Sequence, residues 1–245
     1  MEIKPVLSIG TTFSRSLDLA IQEAPRLGPV LLLAQLPYFS LSLAGVLLPH
    51  SRTLEIVSVI ITLLVLLLQS VLNNMTVHAA FHALIARPVS LGESYSVGRD
   101  FLWRSLGLGI LASVGVAIGF MLLIVPGVWL VAGLIATLPA LVIEDLGVMA
   151  CFKRSWQLTE GYRWKIIGIF LVIVGVVLVA LFGFFIFGIL LGTLKGVLPV
   201  VITVALVGAI QMLINVAAAL FGCCLSVVLY EYLRATSQPA ALEAS

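Results

Sequence analysis

Charged side chains are scarce in this sequence. Only 10% of its 245 residues are Asp, Glu, Lys or Arg, whereas soluble domains carry about 25% because their whole surface faces water. The shortage excludes a chain whose outer surface is entirely hydrated. Hydrophobic residues make up 62% of the chain, and its mean hydropathy is +1.23. The sequence therefore predicts a multi-pass membrane protein.

The sequence also lacks the features of several other classes of protein. The net charge of +2 is too small and too scattered to indicate a nucleic-acid partner. Cys151, Cys223 and Cys224 have neither metal-finger nor disulfide spacing, so no metal and no other cofactor is expected. The first 26 residues lack the apolar core and cleavage site of a secretory signal.

Long apolar stretches predict an all-α transmembrane fold. A helix needs about 20 apolar residues to cross roughly 30 Å of hydrocarbon, and six segments come near or exceed that length. We expect a single transmembrane domain over residues 1–235 and a flexible tail over 236–245. The six predicted spans are 28–48, 54–76, 105–125, 128–143, 166–190 and 198–230.

The third and fourth spans are separated by a very short connection. Pro126 and Gly127 suit the central positions of a type II turn, because proline fixes φ and glycine accepts a positive φ. We therefore expect a tight helical hairpin there. The fourth span is the shortest and contains Pro139, so whether it crosses the membrane fully is left open.

The distribution of Lys and Arg orients the chain. With both termini in the cytoplasm, eleven of the 13 basic residues lie inside, and only Arg52 and Lys195 lie outside. Basic residues favour the cytoplasmic side. We therefore expect a protein of the bacterial cytoplasmic (inner) membrane with both termini inside.

The polar stretches between spans resemble one another. "SIGTTFSRSLD" at 8–18 aligns with "SLGESYSVGRD" at 90–100, and "FSRSLDL" at 13–19 aligns with "FKRSWQL" at 152–158. We expect three pseudo-repeats, at about 5–85, 86–143 and 144–233, each an amphipathic interfacial helix followed by a transmembrane hairpin. Ser90 with Glu93 predicts a capping box, and Asp145 a helix N-cap.

The stretch "IEDLGVMACFKRSWQLTEGYRWKI", residues 143–166, holds seven of the 24 charged residues. Basic and aromatic side chains on one helix suit the headgroup layer, where anionic lipid attracts each Lys or Arg by about 1 kcal/mol. One hypothesis is a polar latch for a lipid headgroup or a partner protein. The plainer alternative is interfacial anchoring, with an acidic pair at a helix start and salt bridges. The candidate residues are Glu144, Arg154, Trp156, Arg163, Trp164 and Lys165.

The same region carries a family resemblance. "PGVWL" at 126–130, Pro139, Glu144, "KRSWQLT" at 153–159 and the pair Gly161 and Trp164 resemble the signature of a bacterial membrane-protein superfamily. That superfamily includes the YciC-like inner-membrane proteins and the membrane domain fused to some glycerophosphodiester phosphodiesterases. The resemblance implies a polytopic protein of the cytoplasmic membrane and carries over no catalytic residue.

Polar residues within the spans are few. The central parts of the predicted spans contain no Asp, Glu, Lys or Arg, which disfavours an ion-coupled pump. Gln69 with Asn73, and Gln211 with Asn215, are i,i+4 pairs on single helix faces. We expect hydrogen bonds between helices, worth about 0.6 kcal/mol on average, with a substrate site as the alternative.

The sequence gives little support for a catalytic site. His78 and His82 could share a metal on one helix face, but no third ligand has motif spacing. A lipid-modifying enzyme would need a cluster of titratable groups at one depth, and no such catalytic constellation is evident. We therefore expect a protein that is not an enzyme.

Two functions remain as hypotheses. The first is a non-catalytic membrane protein that organises phospholipids or partner proteins at the cytoplasmic leaflet. The alternative is a transporter or channel for a neutral or amphiphilic solute, favoured by repeated helical units and polar residues near the midplane. Membrane phospholipids are the expected partners, with a homo-oligomer or other membrane proteins also possible.

Overall fold

The structure is a computed structural model that describes residues 8–47, 51–87, 89–193 and 200–237. Within these ranges the chain forms nine helices and no strand. Six helical segments are long and apolar enough to cross a membrane, which confirms the predicted number of spans. The helices are α1 (Ile9–Leu47), α2 (Arg52–Leu84), α3 (Leu91–Asp100), α4 (Leu102–Leu122), α5 (Ile124–Leu134), α6 (Thr137–Glu144), α7 (Val148–Leu158), α8 (Arg163–Thr193) and α9 (Val200–Ser237).

The first amphipathic segment is not a separate helix. It continues without a break into the first span, so that α1 is 39 residues long and contains Pro25, Pro29 and Pro37. The expected amphipathic segments of the second and third units, in contrast, are separate helices. A single residue outside the helices, Phe101, separates α3 from α4. A turn with Gly161 at φ +79° separates α7 from α8.

Two expectations about helix ends have opposite outcomes. The hydroxyl of Ser90 accepts a hydrogen bond from the Glu93 N–H at 3.1 Å, which confirms the predicted cap of α3. Asp145 is not the N-cap of α7, because it adopts a left-handed conformation (φ 50°) that terminates α6. Gly147 takes the N-cap position of α7 instead.

The predicted type II turn at Pro126 and Gly127 is wrong. Helix α4 ends at Leu122, and Leu123 is extended. Pro126 and Gly127 lie in the first turn of α5. Proline is tolerated there because the first N–H groups of a helix have no intrahelical acceptor. Gly127 is needed for close packing, since a Cβ there would lie 2.5 Å from the Phe120 ring.

The main hydrophobic core lies between α1, α2 and α9. Helix α9 runs antiparallel to α1, with Phe13 packed on Phe221 at 5.2 Å between ring centroids and Phe39 beside Gly208. Helix α4 packs against α5, and α8 packs against α5 and α1. The last helix therefore closes the bundle on the first two helices.

Burial is concentrated in one half of this three-helix core. The buried apolar residues of α1, α2 and α9 lie between Leu19 and Ala34, Val71 and Ala80, and Val216 and Leu233. In α1 and α9 these segments lie towards the N-terminus and the C-terminus of the chain, respectively, and we call that end of the bundle the terminal end. The opposite halves, towards Leu47, Arg52 and Val200, expose most of their large apolar side chains.

Helix α3 is held to α2 by a close backbone approach and a buried polar group. A Cβ on Gly98 would lie 2.5 Å from the Val71 carbonyl oxygen. The side chain of Asn74, which is fully buried, donates to the Gly98 carbonyl at 3.2 Å and to the Ser105 hydroxyl at 2.8 Å. Asn74 thus links α2 to both α3 and α4.

Replacing Gly98 with alanine is expected to destabilise the protein by about 1–3 kcal/mol, because overpacking forces the two backbones apart. Gly92→Ala on the same helix is the matched control, since a Cβ at that position meets nothing within 4 Å. Free energies of unfolding from SDS titration of the two purified variants measure the difference. Equal effects of both substitutions would contradict the close approach.

Candidate functional site

The segment predicted as the fourth span is broken in the middle. Helix α5 ends at Leu134 and α6 begins at Thr137, with Pro139 in the first turn of α6. The Ser155 hydroxyl of α7 occupies the break: it donates to the Gly133 carbonyl at 2.7 Å and accepts from the Ala136 N–H at 3.2 Å. Ser155 is fully buried. A side chain of α7 thus satisfies backbone groups that an unbroken helix would satisfy itself.

Trp156, next in the chain, packs on the same break. A Cβ on Gly133 would lie 2.7 Å from the Trp156 ring, so only glycine permits this contact. The Arg163 guanidinium lies 3.7 Å from the centroid of the Trp156 ring and 5.3 Å from that of Trp129. Trp164 in turn meets Trp129 edge to face at 5.4 Å. Two aromatic rings therefore contact one cation, and a third ring packs on one of them.

Glu144 lies at the end of α6 and joins three helices. Its two carboxylate oxygens accept from Arg154 Nε at 3.1 and 3.0 Å, and Oε1 also accepts a short hydrogen bond from the Tyr230 hydroxyl. Tyr230, on α9, is fully buried. Glu144 and Arg154 thus form a salt bridge, and the acidic pair lies at the end of α6 rather than at a helix start.

The polar side chains near Glu144 differ in their exposure to solvent. Asp145 pairs with Arg104 at 2.6 Å, but both side chains are more than half exposed. Cys151 is fully buried, and this burial, with a further contribution from the Glu144 charge, raises the pKa of its thiol to about 11. A thiol in that state is a poor nucleophile at neutral pH.

A groove runs along the exposed side of α7. It has a volume of about 660 Å³ and is walled by α4, α5 and α7. The α4 and α5 walls are apolar, including Leu111 and Leu130, while the α7 wall carries Lys153, Trp156 and Gln157. Lys153 is exposed and makes no ion pair with any residue that the structure describes.

The six candidates from the charged stretch therefore separate into two groups. Glu144, Arg154 and Arg163 are engaged in internal contacts. Trp156 is 38% exposed and Trp164 72% exposed, and Lys165 is exposed with its ammonium 5.7 Å from the Tyr162 ring centroid. Lys153 is a site residue that the sequence reasoning missed, although its position beside Met149 on the outer face of α7 was a usable signal.

The amide pairs within the spans bond along their own helices rather than between helices. Gln69 donates to Asn73 at 3.3 Å and Gln211 to Asn215 at 3.2 Å. The second pair borders a pocket of about 270 Å³ between α1 and α9, which Gln35 also lines. The first pair, on α2, does not line this pocket.

The two histidines of α2 contact each other. Their ring centroids are 4.2 Å apart, His78 Nδ1 lies 3.3 Å from the Ser94 hydroxyl, and His82 Nδ1 lies 2.9 Å from the His78 carbonyl oxygen. No group of three His, Cys, Asp or Glu side chains suited to a metal occurs among the described residues.

One buried acidic residue was missed because the segment before residue 28 was expected to be an interfacial helix separate from the first span. Glu23 lies on the core face of the longer helix, with its side chain 7% exposed and a carboxylate oxygen 3.8 Å from Arg26. The i,i+3 spacing of the two residues was the available signal. Their pairing places an ionic group at the terminal end of the core.

Six apolar helical segments around a largely apolar core define an integral membrane protein that crosses the bilayer several times. The family model for the membrane domain of glycerophosphoryl diester phosphodiesterase matches residues 110–243, just over half of the chain. The chain belongs to that family, and the matched range contains α5 to α9 with the Ser155 and Glu144 contacts. The resemblance to the YciC-like proteins stays a prediction. Comparisons with curated proteins and with solved structures found no match.

Glu144→Gln is expected to lower the free energy of unfolding by about 1–3 kcal/mol, because it leaves Arg154 without its counter-charge. The adjacent Asp145→Asn change removes an exposed pair and should cost less than about 1 kcal/mol. SDS titration of both variants makes the comparison. A larger effect at Asp145 than at Glu144 would refute the assignment of Glu144 as the joining residue.

Ser155→Ala should cost about 1–3 kcal/mol, because the Ala136 N–H and the Gly133 carbonyl would lose a buried partner. Ser113→Ala is the control, since the Ser113 hydroxyl is exposed and bonds only to its own helix, at Ile110. Hydrogen exchange of the Ala136 amide, followed by mass spectrometry, should accelerate in the first variant alone. Unchanged protection would show that the hydroxyl does not hold the break.

Proposed function

We propose that this protein is a non-catalytic membrane protein that holds anionic phospholipid at the groove beside α7. It acts at the cytoplasmic leaflet of the bacterial inner membrane, with both termini inside, and α7 lies in the headgroup layer. The observation that carries the proposal is the combination of apolar walls on α4 and α5 with the unpaired Lys153 on α7.

The chemistry of the groove supports this ligand class. Acyl chains fit apolar walls, and a headgroup phosphate fits an exposed ammonium whose flexible stem can follow it. Trp156 and Trp164 supply amphipathic rings of the kind that prefer the membrane interface. Lys165 adds a second exposed cation near the start of α8. Arg154 and Arg163 support the surface from beneath through their internal contacts.

The distribution of cations supports the orientation. Arg15, Arg26, Arg163 and Arg234 belong to the terminal-end segments of α1, α8 and α9, whereas Arg52 begins α2 at the opposite end. This asymmetry fits the preference of basic residues for the cytoplasmic side. The three-unit repeat, with its hairpins, remains part of the proposal and is supported by the similar sequences before α4 and α8.

Lipid retention in nanodiscs tests the proposal. Native mass spectrometry of protein released from mixed phosphatidylglycerol and phosphatidylcholine nanodiscs should show enrichment of phosphatidylglycerol. Lys153→Gln should reduce that enrichment about fivefold, since one cation near the surface contributes about 1 kcal/mol. Arg52→Gln, which removes an exposed cation at the other end, should leave it unchanged.

Two outcomes would overturn the proposal. One is an equal content of the two lipids on the native protein. The other is an equal loss of enrichment in the two variants, which would indicate that net charge alone attracts the lipid. Both variants are exposed surface changes, so neither is expected to disturb folding.

Transport of a neutral or amphiphilic solute is the alternative function. The observation that favours it is the pocket between α1 and α9, which contains Gln211 and Asn215. Solute flux into proteoliposomes that Asn215→Leu abolishes, and Asn73→Leu does not, would favour transport over lipid retention.

A further inference from the structure

Neutral hydrogen-bonding side chains form part of the lining of the pocket between α1 and α9, together with apolar side chains. It has a volume of about 270 Å³, close to the lower limit of small-molecule sites, which is about 300 Å³. No charged residue lines it. The polar residues of its walls are Gln35, Tyr38 and Ser42 from α1, and Thr203, Gln211 and Asn215 from α9.

Most of this hydrogen-bonding capacity is unused. The Gln211 to Asn215 bond occupies one donor and one acceptor of the two amides. The Thr203 hydroxyl oxygen is buried and has no partner among the described residues. Gln35 lies 12 positions before Leu47, the last residue of α1, which places it about 18 Å from that end along the helix. Polar groups at such depth in a membrane require partners.

An apolar groove adjoins the pocket. It has a volume of about 600 Å³, lies between α1, α8 and α9, and has only apolar side chains and glycine on its walls. Asn215 of the pocket is followed directly by Val216 of the groove. On α1 the residues of the groove and then of the pocket follow one another at i+3 and i+4 spacing, and so share one helix face. They are Gly28 and Leu32, then Gln35, Phe39 and Ser42.

We infer that the seam between α1 and α9 binds an uncharged amphiphile. Its hydroxyl-bearing head occupies the pocket and bonds to Gln35, Gln211 and Asn215, and its hydrocarbon chain lies in the apolar groove. A phosphate-bearing head is excluded because no cation lines the pocket, and burying an unpaired charge there would be costly. This site is separate from the α7 groove and does not depend on lipid binding there.

Two probes with the same chain test the inference. 1-Oleoylglycerol is uncharged, whereas its phosphate ester, 1-oleoyl lysophosphatidic acid, carries the excluded group. Native mass spectrometry of the full chain in detergent, titrated with each probe, should show binding of the glycerol and at least tenfold weaker binding of the ester. Equal binding of the two probes, or no binding of the glycerol, would overturn the inference.

Matched variants locate the site. Asn215→Leu should weaken binding of 1-oleoylglycerol about tenfold, because the bound head loses one of its hydrogen-bonding partners. Asn73→Leu removes the corresponding amide of the α2 pair, which lines neither the pocket nor the apolar groove, and should leave binding unchanged. Equal effects of the two changes would place the ligand elsewhere.

Gln35→Leu keeps the test decisive if Asn215→Leu fails to fold. The Gln35 side chain makes no hydrogen bond to any described residue, so its replacement removes no internal hydrogen bond. Weaker binding of 1-oleoylglycerol to a Gln35→Leu protein with native thermal stability supports the site. Unchanged binding refutes it.

Discussion

The missing backbone N–H of Pro139 is the constraint on which the family-matched part of the structure depends. In a continuous helix that N–H would bond to the Ile135 carbonyl, and its absence breaks the span between α5 and α6. Backbone groups at the break must bond to something else, because neither hydrocarbon nor a packed core can satisfy them. Ser155 bonds to two of these groups, the Gly133 carbonyl and the Ala136 N–H, and these bonds hold α7 against the break.

With α7 held in this position, the residues next to Ser155 in the sequence face different partners. Arg154 donates to Glu144, which also accepts from Tyr230, and these bonds tie α6 and α7 to α9. Trp156 covers Gly133, and the Arg163 guanidinium lies over its ring. Lys153 is left on the exposed side, facing the groove. A single turn of α7 thus combines the strongest internal contacts with the surface proposed to meet lipid.

The parts of this fold that depend on composition and local spacing were predictable, and those that depend on distant contacts were not. Apolar length gave the six spans, and the Ser90 cap followed from four consecutive residues. Local rules failed for Pro126 and Asp145, since each is compatible with two positions at a helix boundary, and packing selects between them. The spacing of Gln211 and Asn215 predicted a shared face. It could not predict that Gln35 lines the same pocket, because that pocket lies between two helices that are far apart in the sequence.

The three prolines of α1 have a mechanical consequence. Each leaves a carbonyl four residues earlier, at Ile21, Pro25 and Leu33, without its usual intrahelical donor. Helices α2 and α9 contain no proline, so α1 can bend while losing fewer hydrogen bonds than either. The seam between α1 and α9 therefore has one compliant wall and one stiff wall. Such a seam can widen or narrow around chains of different thickness while α2 and α9 keep the core intact.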